Sequence, residues 1–210
     1  MANILEQLYG SGLQEITPQE NLDNLHFSDS PEENLDNLYE SFDVREMEMI
    51  QDIRDCVESD ERLKLENWQE LDMDARQETL QGLENRIAAI ESRNPLNIVV
   101  EDMGPSLCGY MNQAEGIIAI NTTEIMDDSI SGLRELVDTV VHEGRHAYQH
   151  ENVFGVRTEQ NDAKFMGWVS NYQTGYLDSE TYGQELYLLQ PLEADAWAFA
   201  GATVSGLDFR

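Results

Sequence analysis

The sequence predicts an α+β fold with a small antiparallel sheet. Helical periodicity fills residues 45–93, a short β-rich stretch follows from Leu96, and further helices close the chain. Strands gathered in one stretch, instead of alternating with helices, favour α+β over a parallel α/β sheet.

Residues 1–44 are rich in Asp and Glu and hold not one Lys or Arg. They also carry a short duplication, Glu20-Asn-Leu-Asp-Asn-Leu25 recurring as Glu33-Asn-Leu-Asp-Asn-Leu38. So charged and apolar-poor a segment cannot offset its ordering entropy alone, so it is expected to be flexible or to form short docked helices. From 45 to 94 the chain reads as a helical region. Met47, Ile50, Ile53 and Val57 recur at helical spacing, as do Leu80, Leu83, Ile87 and Ile90. Asn94-Pro95 then breaks the pattern.

Residues 95–210 read as the domain that carries chemistry. Asn97-Ile-Val-Val100 is a β-branched run, and Cys108-Gly-Tyr-Met-Asn112 with Gly116-Ile-Ile-Ala-Ile-Asn121 reads as a hairpin. Ser129 or Ser131 is placed to cap a long helix through Leu133, Val137 and Val141 to about His150. Phe154 to Gly183 has no clear periodicity. Pro191 suits the first turn of a final helix containing Leu192, Ala196 and Phe199.

The charge narrows the function. Forty-two Asp and Glu stand against 12 Lys and Arg, a formal net charge of −30 shared by both halves of the chain. Such a surface repels phosphates, which argues against nucleic acid and anionic membranes; it would suit a basic protein or peptide, but solvation alone accounts for acidity spread along the whole chain. No apolar run approaches the ~18 residues that cross a bilayer. The N-terminus has no signal-peptide pattern, so the protein is expected to be made soluble in the cytoplasm, with export only by a signal-independent route. Cys56 and Cys108 form no CxxC unit and read as unpaired thiols.

The informative stretch is Val141-His142-Glu143-Gly144-Arg145-His146. Histidines at i and i+4 project from one helix face, so both imidazoles can reach one tetrahedral Zn2+ at roughly 2.0–2.1 Å. Glu143 points to the adjacent side, where it can take a proton from a water polarised by the ion. Gly144 costs ~1 kcal/mol against Ala inside a helix, which makes sense where another element must come close.

A catalytic zinc needs a third protein ligand. On a continuing helix His150 lies about 12 Å along the axis from His142, at 1.5 Å per residue, so it cannot share the ion. It reads as a cleft residue, a candidate transition-state donor. The third ligand is expected from Gln190-Pro-Leu-Glu193-Ala-Asp195-Ala-Trp-Ala-Phe-Ala200, a helix apolar enough to be buried. A buried Glu193 needs a cation; Asp195 is the fallback ligand or a second-shell acid. Asp138, one turn before His142, is placed to orient it. An oxyanion donor would come from His150, Arg157 or a tyrosine, Tyr187 among Tyr148, Tyr172, Tyr176 and Tyr182.

HExxH followed by Glu-x-x-Ala-x-x-Phe-Ala resembles the gluzincin type of zinc metallopeptidase. It is most similar to compact bacterial zincins of the ImmA/IrrE kind and to metallopeptidase domains of toxins and effectors. The resemblance covers roughly residues 97–203. It implies a zincin-like domain, His142, His146 and Glu193 as zinc ligands, and Glu143 as general base. It also implies that the strand with Gly116, Ile118 and Ile120 is the sheet edge to which an extended substrate adds. The long segment between the two motifs departs from the pattern, and residues 1–94 have no counterpart. Two other readings remain. One is an acidic binding or mimic protein with a purely structural zinc; the other is a zinc hydrolase acting on a non-peptide bond.

Overall fold

The computed structural model describes residues 42–105 and 107–210. The duplicated hexapeptide, and the acidic N-terminal segment through residue 41, lie outside the described residues.

Three helical pieces come first. Helix α1 (Val44–Glu58) begins with a capping box, in which Asp43 accepts from the Glu46 N–H and Glu46 accepts from the Asp43 N–H. A short 3-10 turn and α2 (Leu65–Trp68) lead into α3 (Met73–Glu91), capped by Asp72 on the Ala75 N–H at 2.9 Å. Helix α3 stops at Ser92, which adopts a left-handed conformation at φ 60° just before Pro95. Met49, Ile50, Ile53 and Val57 form the inner face of α1. Met47, read from the sequence as part of that face, is exposed, because the buried stripe is shifted round the helix to Met49.

Strands β1 (Asn97–Glu101), β2 (Gly109–Asn112) and β3 (Ile117–Asn121) form a three-stranded sheet in the order β1-β3-β2. Strands β2 and β3 are the expected hairpin, antiparallel with Gly109 opposite Ile120. Strand β1, however, runs parallel to β3, with Asn97 opposite Ile117, so the sheet is mixed and not wholly antiparallel. The chain leaves β1, passes over to β2, and returns through the middle. Asn121 fastens that crossing, donating to the carbonyls of Gly104 and Leu107 at 2.6 and 2.7 Å.

This order overturns the expected substrate edge. Ile118 and Ile120 lie in the central strand with no exposure, and Gly116 sits in the turn before it. The unbroken apolar run Ile-Ile-Ala-Ile marks a strand buried on both faces. Among the described residues, β2 is the strand that runs free beside the long helix.

After the short α4 (Thr122–Ile125), helix α5 runs from Ile130 to Phe154, capped by Ser129 on the Gly132 N–H at 3.0 Å. Phe154–Gly183, unread in the sequence, gives α6 (Asp162–Thr174) and the short α7 (Ser179–Tyr182). Then come α8 (Gln184–Leu189) and α9 (Pro191–Val204). Helix α9 packs along α5 and against α1 and α6, while α3 covers another side of α5 and the sheet. One apolar cluster joins all of these, with Ile53, Leu83, Ile118, Val140, Trp168 and Phe199 fully buried in it. Among the described residues no helix is long and apolar enough to cross a membrane. Cys56 and Cys108 are unpaired.

Candidate metal centre

Helix α5 is amphipathic for most of its length, yet from Val140 to Arg145 every residue is buried. Close approach of α3 makes this possible. A Cβ on Gly144 would lie 2.8 Å from Arg93 Nη2 and 3.4 Å from Ile87. Arg93 cannot retreat: Glu84 binds its two terminal nitrogens at 2.6 and 2.9 Å, and Glu91 binds Nε at 2.7 Å. Gly144 is therefore a packing requirement, as its cost inside a helix suggests.

On the opposite side of α5, three side chains converge. His142 and His146 present Nε2 atoms 3.1 Å apart. Glu193, from the first turn of α9, places Oε1 3.0 Å from His146 Nε2 and Oε2 3.5 Å from His142 Nε2. All the ligand atoms lie within 4.8 Å of one another. Four-coordinate zinc with bonds of 2.0–2.1 Å has ligand–ligand edges of about 3.3 Å, which matches this spacing. Glu193 is fully buried, and its Oε2 has no hydrogen-bond partner. A buried carboxylate oxygen without a donor, facing two imidazole nitrogens, fits a cation held among the three. This group can hold a metal ion.

The electrostatics agree. Burial works against the Glu193 charge, but the imidazoles of His142 and His146 outweigh it and hold the carboxyl well below its usual range. Burial likewise opposes charge on His146. Its bond to Glu193 and the charges of Glu143 and Glu193 prevail, raising it to about 9 in the metal-free protein. Glu143 is buried beside the pair, and no described residue donates a hydrogen bond to its carboxylate.

The other residues singled out in the sequence fall into place differently. Asp195 is not a ligand. It accepts from Arg145 at 2.8 and 3.1 Å and from Gln149 at 2.9 Å, and Lys164 lies 3.1 Å away. Asp138 lies near His142 but makes no bond to it, since His142 Nδ1 is buried without a partner. His150 continues along α5 and stacks on Phe154 and Tyr172, away from the ligand group. Tyr187 does reach the site, packing beside Tyr176 and interacting with Glu193. Tyr148 is enclosed under Arg145, and Arg157 is bound to Asp162, so neither faces the centre.

Tyr176, one of the candidate tyrosines, donates from its hydroxyl to Glu193 Oε1. Three contributors were missed. Trp197, expected to be buried with the rest of α9, is 42% exposed and covers His142 with ring centroids 4.6 Å apart. Gln149 accepts from His146, and Arg145 joins α5 to Asp195 on α9 and to Glu46 on α1. Nothing local marked the last two, because Glu143, His150, Glu151 and Asn152 are polar neighbours on the same stretch.

Tyr176 and Tyr187 belong to a strap, residues 175–190, that begins at Gly175 (φ 99°). Gln190 closes its base. Its Oε1 accepts from the Leu177 N–H, and its Nε2 donates to the carbonyls of Leu177 and Tyr187. Comparisons with protein-family models, curated proteins and solved structures returned no match.

Proposed function

We propose that this chain is a zinc-dependent hydrolase, specifically a peptidase. The observation that carries the reading is the buried meeting of His142, His146 and Glu193, with the unbonded Glu143 carboxylate beside it. Among the described residues no fourth His, Cys, Asp or Glu joins the group, which supports an open catalytic site over a closed structural one.

A divalent ion held there supplies Lewis acidity, polarising a carbonyl and acidifying water. The residues divide the remaining work. His142 and His146 would hold the ion from one helix, and Glu193 would hold it from another. Glu143 accepts a proton from water and returns it to the leaving amine. Tyr176 and Tyr187 bring phenolic donors to the same mouth. Tyr176 is engaged with Glu193, and Tyr187 stands against it as the donor for developing oxyanion charge. Strand β2 offers the free edge to an extended peptide, a role the sequence had assigned to β3.

The surroundings favour a basic peptide. Burial raises the Cys108 thiol, and Glu124, Glu135, Asp138 and Glu143 raise it further, so four carboxylates surround the start of β2. A cationic side chain entering there would meet uncompensated negative charge.

Elemental analysis tests the metal. Stoichiometric zinc is expected in the wild type and absent from His142→Ala and Glu193→Ala. Glu143→Gln should keep its zinc and hydrolyse Lys- or Arg-containing peptides ~10²–10⁴-fold more slowly. Full zinc in His142→Ala would overturn the proposal.

A further inference from the structure

Gln149 is fully buried on α5, one turn beyond His146. Its amide orientation is fixed. Nε2 donates twice, to the Leu192 carbonyl and to Asp195 Oδ2, both at 2.9 Å. The acceptor end, Oε1, then lies 2.9 Å from His146 Nδ1. An amide oxygen cannot donate, so Nδ1 must carry the proton. That leaves the lone pair of neutral His146 on Nε2, the atom facing Glu193 and His142.

We propose that Gln149 is the positioning residue of the metal centre: it sets the His146 tautomer and ties it to α9, the helix that bears Glu193. The inference rests on the zinc reading above. Two features single out this link. First, Leu192 immediately precedes Glu193, so Gln149 connects the second and third ligands through one side chain. Second, its other partner, Asp195, is locked by Arg145 and Lys164, and Glu46 binds both of those cations. His146 is thereby braced through Gln149 to a buried four-charge cluster that touches no metal. His142 has no such support, because its Nδ1 lacks a partner. The two histidines of one motif are unequally held, and the orienting work falls on the second.

Zinc affinity of the full chain, measured by chelator competition, tests this. Gln149→Met keeps the volume and removes both ends of the link; it is expected to bind zinc 10–100-fold more weakly. Gln149→Glu keeps the acceptor for His146 but gives up both donations to α9 and sets a carboxylate against Asp195, so its affinity should fall less than that of Gln149→Met without matching the wild type. Nitrogen-resolved NMR of the metal-free proteins adds a readout that does not depend on metal. The His146 Nδ1 proton should be protected from exchange in the wild type and Gln149→Glu, and lost from view in Gln149→Met. Near-UV circular dichroism confirms that each variant folds, and if Gln149→Met does not, Gln149→Glu alone carries the test through its retained proton signal. Wild-type affinity in a folded Gln149→Met protein, or equal losses in both variants, overturns the inference while leaving the metal reading intact. A wild type that binds no zinc overturns the metal reading first.

Discussion

Gly144→Ala pits helix propensity against packing, and the structure decides the sign. Ala gains ~1 kcal/mol over Gly in a helix interior. At position 144 the added Cβ would meet Arg93 Nη2 at 2.8 Å, well inside an ordinary contact. The usual escape is for a flexible side chain to swing away. Arg93 cannot, because three bonds to Glu84 and Glu91 hold it in place. Overpacking a tight core costs ~1–3 kcal/mol, and loosening a buried ion pair adds to that. The net is a destabilisation of about 1–3 kcal/mol. Domains of this size lose ~2–4 °C per kcal/mol, so the midpoint should drop by roughly 2–12 °C. Gly82→Ala is the internal control. It also lies inside a helix, but its Cβ would meet only Arg62 Nη2 at 3.6 Å. It should gain about 0.5–1 kcal/mol. Thermal melts of the metal-free proteins compare the two. If Gly144→Ala melts at or above the wild type, the close approach of α3 and α5 is wrong.

Three further outcomes are expected. Arg145→Met should destabilise the fold by ~3–5 kcal/mol in urea titrations, because Glu46 and Asp195 would remain buried with Lys164 as their one shared cation. The acid limb of stability should reflect Asp195. Burial opposes its charge, but Arg145 and Lys164 hold it well below its ordinary 3.8, so its contribution is complete above that pH and lost as pH falls below it. Urea midpoints between pH 2.5 and 7 should therefore fall less steeply in Asp195→Asn. Zinc binding should change tryptophan emission through Trp197, which stands over His142, and Trp197→Phe should remove the change, since Trp68 and Trp168 are fully buried.

What the sequence conveyed divides along a physical line. Local patterns were legible. The HExxH pair, the Ser129 cap, the β2–β3 hairpin and the inward direction of Glu193 all follow from periodicity or from the cost of burying a charge. Gly144 belongs with them, because a mid-helix glycine advertises its own expense. What depends on pairing between distant segments was not legible. The place of β3 at the centre of the sheet is set by the chain crossing that Asn121 fastens. Arg145 looks like an ordinary surface charge, and Asp195 like a spare ligand, until the two helices meet. Tyr176 lies in a stretch without periodicity, so nothing local aims it at Glu193. Trp197 departed for a related reason, since helical phase gives a face but not how far the neighbouring element extends over it.

The bracing between α5 and α9 has a consequence for how this centre could change over time. The two helices are joined by Arg145–Asp195 and by Gln149 to the Leu192 carbonyl, none of which involves the metal. The scaffold therefore stands without an ion, and loss of one histidine would break up the candidate ligand group while sparing the shape. A descendant with that change would persist as a folded, acidic cleft. On the proposed reading, catalysis and peptide recognition are then separable, and selection could discard the first while retaining the second.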